Sequence, residues 1–136
     1  MKTLVIGAAI IDIIMKIKRL PKSGEDILCS ETVSAVGGCA YNVAGTLRGF
    51  GVDHDLFVPV GRGMYGDMIA GDLEKLGYQI LIREEESDNG YCLCLVEEDG
   101  ERTFITVKGA EGRFRPSWFE QLSQYAYDSI YVAGYQ

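Results

Sequence analysis

The chain has 136 residues, of which 47% are hydrophobic and 24% are charged, a balance typical of one soluble domain with a buried core. Its net charge of −7 argues against a nucleic-acid partner, because phosphate binding requires a basic face. No apolar run approaches the ~20 residues that span a membrane, and the apolar start is too short for a signal peptide, so we expect a cytoplasmic protein without a membrane partner.

Apolar periodicity and turn residues divide the chain into strands and helices. The predicted elements are a strand at 3–8, extended segments at 13–18 and 27–36, a helix at 40–50, a strand at 55–60, a helix at 68–76 capped by Asp67, a strand at 78–83, strands at 91–97 and 102–107, a helix at 116–126 and a strand at 129–132. Their βαβ alternation predicts an α/β fold with a parallel sheet and flanking helices. The extended stretches at about 13–36 and 91–107 lack intervening helices, so they predict a separate small antiparallel sheet.

The four cysteines do not suggest a disulfide framework in a chain of this length. Cys92 and Cys94 share one face of a predicted strand, but a zinc site needs further ligands, and the chain offers only His54, which we predict to be solvated. We therefore predict reduced, half-buried thiols and no metal site.

A corner at residues 36–44 carries the clearest candidate binding site. Gly37 and Gly38 let the backbone approach a ligand, because no Cβ stands in the way. The helix that follows begins with unpaired N–H groups, and the amide of Asn42 can both donate and accept hydrogen bonds. Such a corner can hold a polyhydroxylated ligand. The alternatives are a plain strand-to-helix turn at the glycines and a helix N-cap at Asn42.

A second pattern suggests a different function. Gly61, Gly63 and Gly66 match the G-x-G-x-x-G dinucleotide fingerprint, and acidic residues follow about 20 positions later. Against this interpretation, Pro59 is awkward in a central strand, and a complete strand-to-helix unit precedes the motif. A dinucleotide-binding module that uses these glycines stays open as an alternative.

Motifs along nearly the whole chain follow one familiar order. They are Gly7 with Asp12, Leu20-Pro21-x-x-Gly24-Glu25, Gly37-Gly38-x-x-x-Asn42-Val43-Ala44, Phe50-Gly51, Val60-Gly61 with Gly66-Asp67, Leu73 with Leu76-Gly77, Gly100-Glu101-Arg102-Thr103, and Gly109-Ala110. In this order and spacing the chain resembles the N-terminal part of the ribokinase-like (PfkB) carbohydrate kinases.

The resemblance implies a ribokinase-like α/β domain whose lid is formed by segments 13–36 and 91–107. It also implies ATP-dependent phosphorylation of a hydroxymethyl group on a sugar or nucleoside, with Mg²⁺. Asp12 would lie at the end of a parallel strand, where ligands bind in open α/β sheets. With Gly37, Gly38 and Asn42 it would clamp sugar hydroxyls. Phe104 would pack on the substrate from the lid, or else belong to the ordinary core.

The family's second signature, Asp-Thr-x-Gly-Ala-Gly-Asp, does not occur in these 136 residues. In the family it supplies the catalytic base and the adjoining nucleotide site. We therefore expect residues 1–136 to be the substrate-binding portion of a longer kinase, with no catalytic residue, no bound ATP or metal and no activity alone. We also expect a homodimer through the lid, and a non-catalytic assembly module built on the lid is the third alternative.

Overall fold

A computed structural model describes residues 1–134, apart from the side chain of Gln124. The elements are β1 (Thr3–Ile6), β2 (Ile10–Lys16), β3 (Glu31–Gly37), α1 (Cys39–Gly49), β4 (His54–Phe57), β5 (Pro59–Val60), α2 (Met64–Lys75), β6 (Ile82–Arg83), β7 (Tyr91–Val96), β8 (Arg102–Val107), α3 (Pro116–Glu120) and β9 (Ser129–Val132), with 3-10 turns at Ala110–Gly112 and Gln121–Gln124.

A parallel sheet in the order β4-β1-β9 forms the centre of the molecule. Its middle strand is apolar on both faces, because both faces are covered. Val5 packs with residues of α1 and α2, whereas Leu4 packs on the other face with Phe57, Ile82 and the aromatic residues around α3. The predicted α/β class, with a parallel sheet and flanking helices, is confirmed.

A second sheet, in the order β3-β2-β7-β8, is formed by the segments that were predicted to make the lid, and we call this sheet the lid. The prediction of a purely antiparallel sheet is wrong, because β2 and β7 run parallel while the two outer pairs are antiparallel. The lid also begins earlier than residue 13, since only Gly7, Ala8 and Ala9 separate β1 from β2. The chain therefore passes directly from β1 of the core sheet to β2 of the lid.

Several predicted boundaries shift for local reasons. The predicted strand at 55–60 breaks into β4 and β5, which pair with β1 and β6 respectively. Pro59, the first residue of β5, has no N–H to donate, so the break at this point is expected. The predicted helix at 68–76 instead starts at Met64, and the predicted helix at 116–126 becomes α3 followed by a 3-10 turn.

The cysteines are free thiols, but they are not uniformly half-buried as predicted. Cys92 and Cys94 are buried, Cys29 is partly exposed and Cys39 is exposed. Across residues 1–134, no group of three or more metal-ligating side chains is gathered in one place. In the same range, none of the helices has the length and apolar character needed to cross a membrane.

Candidate functional site

A cavity of about 310 Å³ lies where the lid meets the N-terminus of α1. Three predicted site residues, Asp12, Gly38 and Asn42, line it. A mostly apolar wall with a few polar groups is typical of a small-molecule site. The other lining residues, which sequence reasoning did not single out for the site, are Ala8, Ile10, Cys39, Thr106, Lys108, Glu111 and Gly112.

Asp12 lies inside β2, where it pairs with Ala35 of β3 and Cys92 of β7. Its predicted place at the end of a parallel core strand is therefore wrong, since β1 ends at Ile6 and Asp12 belongs to the lid. Burial raises the pKa of the Asp12 carboxyl, and no hydrogen bond or charge within residues 1–134 offsets this effect. A half-buried carboxylate without a donor is suited to accept hydrogen bonds from ligand hydroxyls.

The two glycines leave room for different neighbours. A Cβ on Gly37 would overlap the Asp12 carboxylate, so the glycine lets that side chain lie flat against β3. Gly38 has φ +105°, and a Cβ there would lie 2.6 Å from the carbonyl oxygen of Ala8. Gly38 lines the cavity, whereas Gly37 supports the carboxylate that does. Both glycines are therefore sterically required at this turn, and their contact with a ligand stays a prediction.

Asn42 is exposed in the first turn of α1 and lines the cavity. The N-cap interpretation is wrong, because Gly38 occupies the N-cap position and α1 has no side-chain cap. The backbone N–H of Asn42 donates to the carbonyl oxygen of Gly38 at 3.0 Å. Its side-chain amide therefore does not serve the helix end and faces the cavity.

The structure does not bring Phe104 to the cavity. It lies on β8 opposite Cys94 and is 59% exposed, so the ordinary-core interpretation is also wrong. Thr106, two residues further along the same face of β8, lines the cavity instead. Thr106 pairs with Cys92, which pairs with Asp12, so all three share one face of the lid.

The glycine fingerprint has a structural explanation. The Asp88 carboxylate accepts hydrogen bonds from the backbone N–H groups of Tyr65 at 3.1 Å and Gly66 at 2.6 Å, which fills the N-terminus of α2. A Cβ at Gly61 or Gly63 would overlap the loop that carries Asp88. The place where a pyrophosphate would bind is occupied by this carboxylate, so the dinucleotide interpretation is wrong.

Comparison with known proteins settles the family. A family model described as "pfkB family carbohydrate kinase" matches residues 1–135. The chain belongs to this family.

The similarity to individual proteins is extensive along this chain but partial along theirs. The chain is 40% identical over 133 residues to YegV of Escherichia coli (strain K12), described as an uncharacterized sugar kinase, and the match covers 98% of this chain and 41% of that protein. The chain thus spans about two fifths of the length of that curated relative.

Solved structures show the same relationship. The ribokinase of Giardia lamblia superposes with a TM-score of 0.84 at 24% identity, covering 96% of this chain and 41% of the other. The Arabidopsis thaliana ribokinase complexed with ribose and ATP gives a TM-score of 0.69 at 27% identity, covering 80% of this chain and 36% of the other. The ribokinase-like fold is therefore confirmed for the part of the domain that this chain covers.

In this pfkB chain, sequence reasoning missed all three buried polar residues of the described range, Glu84, Asn89 and Glu111. Asn89 and Glu111 are each 4% exposed, and Glu111 lines the cavity. Glu111 directly follows the Gly109-Ala110 motif of the family resemblance, which was the available signal. A glutamate between glycines after a strand is otherwise typical of a solvated loop, so its burial was not expected.

A wider groove of about 540 Å³ lies elsewhere, beside the start of β4, and contains none of the predicted site residues. His54 lines it, and the prediction that His54 is solvated is wrong. Its Nδ1 lies 2.7 Å from the carbonyl oxygen of Val52, and its Nε2 lies 2.7 Å from the hydroxyl of Tyr78. Because both ring nitrogens have protein partners, His54 has a structural explanation in this family member.

Proposed function

We propose that this chain is the N-terminal substrate-binding and lid portion of an ATP-dependent sugar kinase, which phosphorylates a hydroxymethyl group of a sugar or nucleoside. One observation carries the proposal: the half-buried Asp12 carboxylate faces the cavity without a hydrogen-bond donor in residues 1–134. Family membership supplies the reaction class.

The cavity chemistry suits a polyol. A carboxylate can accept hydrogen bonds from two neighbouring hydroxyls, and an amide can donate to one hydroxyl and accept from another. Asp12 of the lid and Asn42 of α1 reach the same cavity from different elements. A sugar held between them would keep the lid against the core and exclude water, which favours transfer to the sugar over hydrolysis.

The described residues do not fit ATP and its Mg²⁺. The N-terminus of α2 is filled by Asp88, and the carboxylates of Asp12 and Glu111 in the cavity would repel a triphosphate. Lys108 is the one cation among the residues that line this cavity. We therefore assign ATP, Mg²⁺ and the catalytic base to a longer protein, and propose that residues 1–136 alone bind neither and are inactive.

We also propose a homodimer through the lid. Val33 and Phe104, which are 48% and 59% exposed, lie on the same face of the lid as Asp12, whereas Ile105, which is 51% exposed, lies on the opposite face. Exposed apolar side chains such as Val33 and Phe104 are typical of protein contact sites, and a second copy packed on that face would cover them. The cytoplasmic location and the lack of nucleic-acid and membrane partners stay predictions.

Calorimetric titration tests the sugar clamp. The full-length protein that contains this chain is titrated with a panel of sugars, sugar acids and nucleosides, alongside Asp12→Ala and a control, Asp26→Ala, in an exposed lid loop. We expect one class of ligand to bind the parent and the control alike, and to bind Asp12→Ala about 100-fold more weakly, because charge-assisted hydrogen bonds are lost. Equal binding by all three proteins would remove Asp12 from the site.

A further inference from the structure

Asn89 and Glu111 form a buried polar pair between the lid and the core. Each is 4% exposed, and the amide Nδ2 of Asn89 lies 3.4 Å from the Glu111 carboxylate. A buried carboxylate is strongly destabilising unless hydrogen bonds satisfy it. The hydrogen-bond partners of Asn89 and Glu111 show which parts of the fold this pair connects.

Glu111 joins the two ends of the lid hairpin. One carboxylate oxygen accepts from the N–H of Gly90 at 2.8 Å, directly before β7, and the other accepts from the N–H of Gly109 at 2.9 Å, just after β8. A Cβ on either glycine would overlap the backbone of the opposite strand end. The two chain segments therefore touch at the carboxylate, and one side chain fixes the base of the hairpin.

Asn89 joins that base to the core. Its Nδ2 donates to the carbonyl oxygens of Ala9 at 3.2 Å and Pro59 at 3.0 Å, and its Oδ1 accepts from the N–H of Gly61 at 2.7 Å. Ala9 directly precedes β2, Pro59 begins β5, and Gly61 directly follows β5 on the way to α2. Strands β2, β7 and β8 thus leave the core at a single hydrogen-bonded point.

We propose that Asn89 and Glu111 are positioning residues that fix the lid sheet over the cavity and so place Asp12 for its ligand. Asp12 lies three residues beyond Ala9 on β2, so a change at this point moves the carboxylate relative to Asn42 on α1. Glu111 also lines the cavity, so one of the two residues that fix the base of the lid would lie beside a bound ligand. The consequence for sugar binding rests on the proposed function, whereas the consequence for lid order does not.

Hydrogen exchange measures lid order directly in the full-length protein. Asn89→Asp keeps the shape but turns a carboxylate oxygen toward two carbonyl oxygens and toward Glu111. Glu111→Asp keeps the charge but shortens the bridge between Gly90 and Gly109. For both variants we expect amide exchange in β2, β7 and β8 to rise about tenfold or more, while exchange in β1 and β4 stays as in the parent. Glu31→Gln, on the exposed ion pair with Lys16 in the same sheet, is the matched control and is expected to change nothing.

Kinetics supply the second measurement. We expect the KM for the sugar to rise about tenfold in both variants while the KM for ATP stays unchanged. Exchange that rises equally in β1 and β4 shows a general loss of stability and overturns the proposal, as does unchanged exchange in the lid. A parent protein that phosphorylates no sugar or nucleoside contradicts the proposed function. The exchange result would still show whether Asn89 and Glu111 fix the lid.

Discussion

The Asp12 carboxylate packs against the α-carbon of Gly37, on the strand next to its own, at a point where any Cβ would overlap it. Asp12 lies on β2 and Gly37 ends β3, and these strands pair antiparallel. The carboxylate therefore owes its position to a missing side chain on the neighbouring strand. Two motifs that are 25 residues apart in the chain act as one unit in the site.

Gly37→Ala is the first prediction. The new Cβ would push the carboxylate away from its place, so we expect sugar affinity to fall about tenfold. Gly37 does not have a positive φ, so the backbone accepts alanine and we expect the free energy of unfolding to change by less than about 1 kcal/mol. Calorimetry and denaturant unfolding measure the two effects.

A double-mutant cycle checks the cause. In an Asp12→Ala background, Gly37→Ala meets no carboxylate, so it should cost no further affinity. Additive losses would show that Gly37 acts on the ligand by a separate route. Gly38→Ala is the contrasting variant: with φ +105°, it is expected to destabilise the fold by more than about 1 kcal/mol.

The raised pKa of Asp12 gives the second prediction: the ionised carboxylate favours sugar binding but lowers the stability of the folded protein. The folded state binds this proton more readily than the unfolded state, so Asp12 opposes folding above its raised pKa, and stability rises as the pH falls through it. We expect Asp12→Asn to increase the free energy of unfolding at pH 7 while weakening sugar binding.

The pH dependence of binding tests the same point. The clamp needs the ionised carboxylate, so sugar affinity should decline on acidification at a higher pH than an ordinary aspartate would give. Calorimetry between pH 4 and 8 measures it, with Asp12→Asn as the control that loses the dependence. An affinity that is constant over this range, or a variant less stable than the parent, would contradict the assignment.

Asp88→Ala is the third prediction. Its carboxylate supplies the hydrogen bonds that cap α2, so its loss should lower the free energy of unfolding by about 1–2 kcal/mol. Asp67→Ala is the comparison within α2: it removes an acidic residue from the first turn and its ion pair with the partly buried Arg83, a loss of about 0–1 kcal/mol. If both variants were equally stable, Asp88 would not be the cap. Titration of NAD, NADP and FAD into the parent should show no saturable binding.

The lid contact gives the fourth prediction. We expect the protein to be dimeric by light scattering, and Phe104→Lys to shift it toward the monomer by placing a charge in the apolar patch. Lys16→Glu, which changes charge on an exposed lid residue, tests whether charge alone has this effect. A parent that stays monomeric at high concentration would remove the lid from the proposed assembly.

Local patterns were enough for the elements but not for the contacts between them. The apolar run of β1 predicted a buried strand, and the spacing of Val43, Ala44 and Leu47 predicted α1 almost to the residue. The motif around Gly37 and Asn42 led to the cavity. Each of these patterns could be recognised in the sequence because it lies within a single strand, helix or turn.

Other features depend on residues far apart in the chain. Asp88 caps a helix that begins 24 residues earlier, and no local pattern shows which loop will reach that end. Asn89 meets Ala9 across 80 residues, so its burial emerges only from the packed fold. Phe104 illustrates the reverse, since a lid aromatic suggested a ligand contact, but the register places Thr106 at the cavity instead.

The most direct test of the central claim is a kinase assay on the full-length protein with ATP and a panel of hexoses, pentoses, sugar acids and nucleosides. We predict phosphorylation of a hydroxymethyl group on at least one of them, and a loss of about 100-fold or more in kcat/KM for Asp12→Asn with that substrate. Phosphorylation of none of them, or an Asp12→Asn variant as active as the parent, would contradict the account.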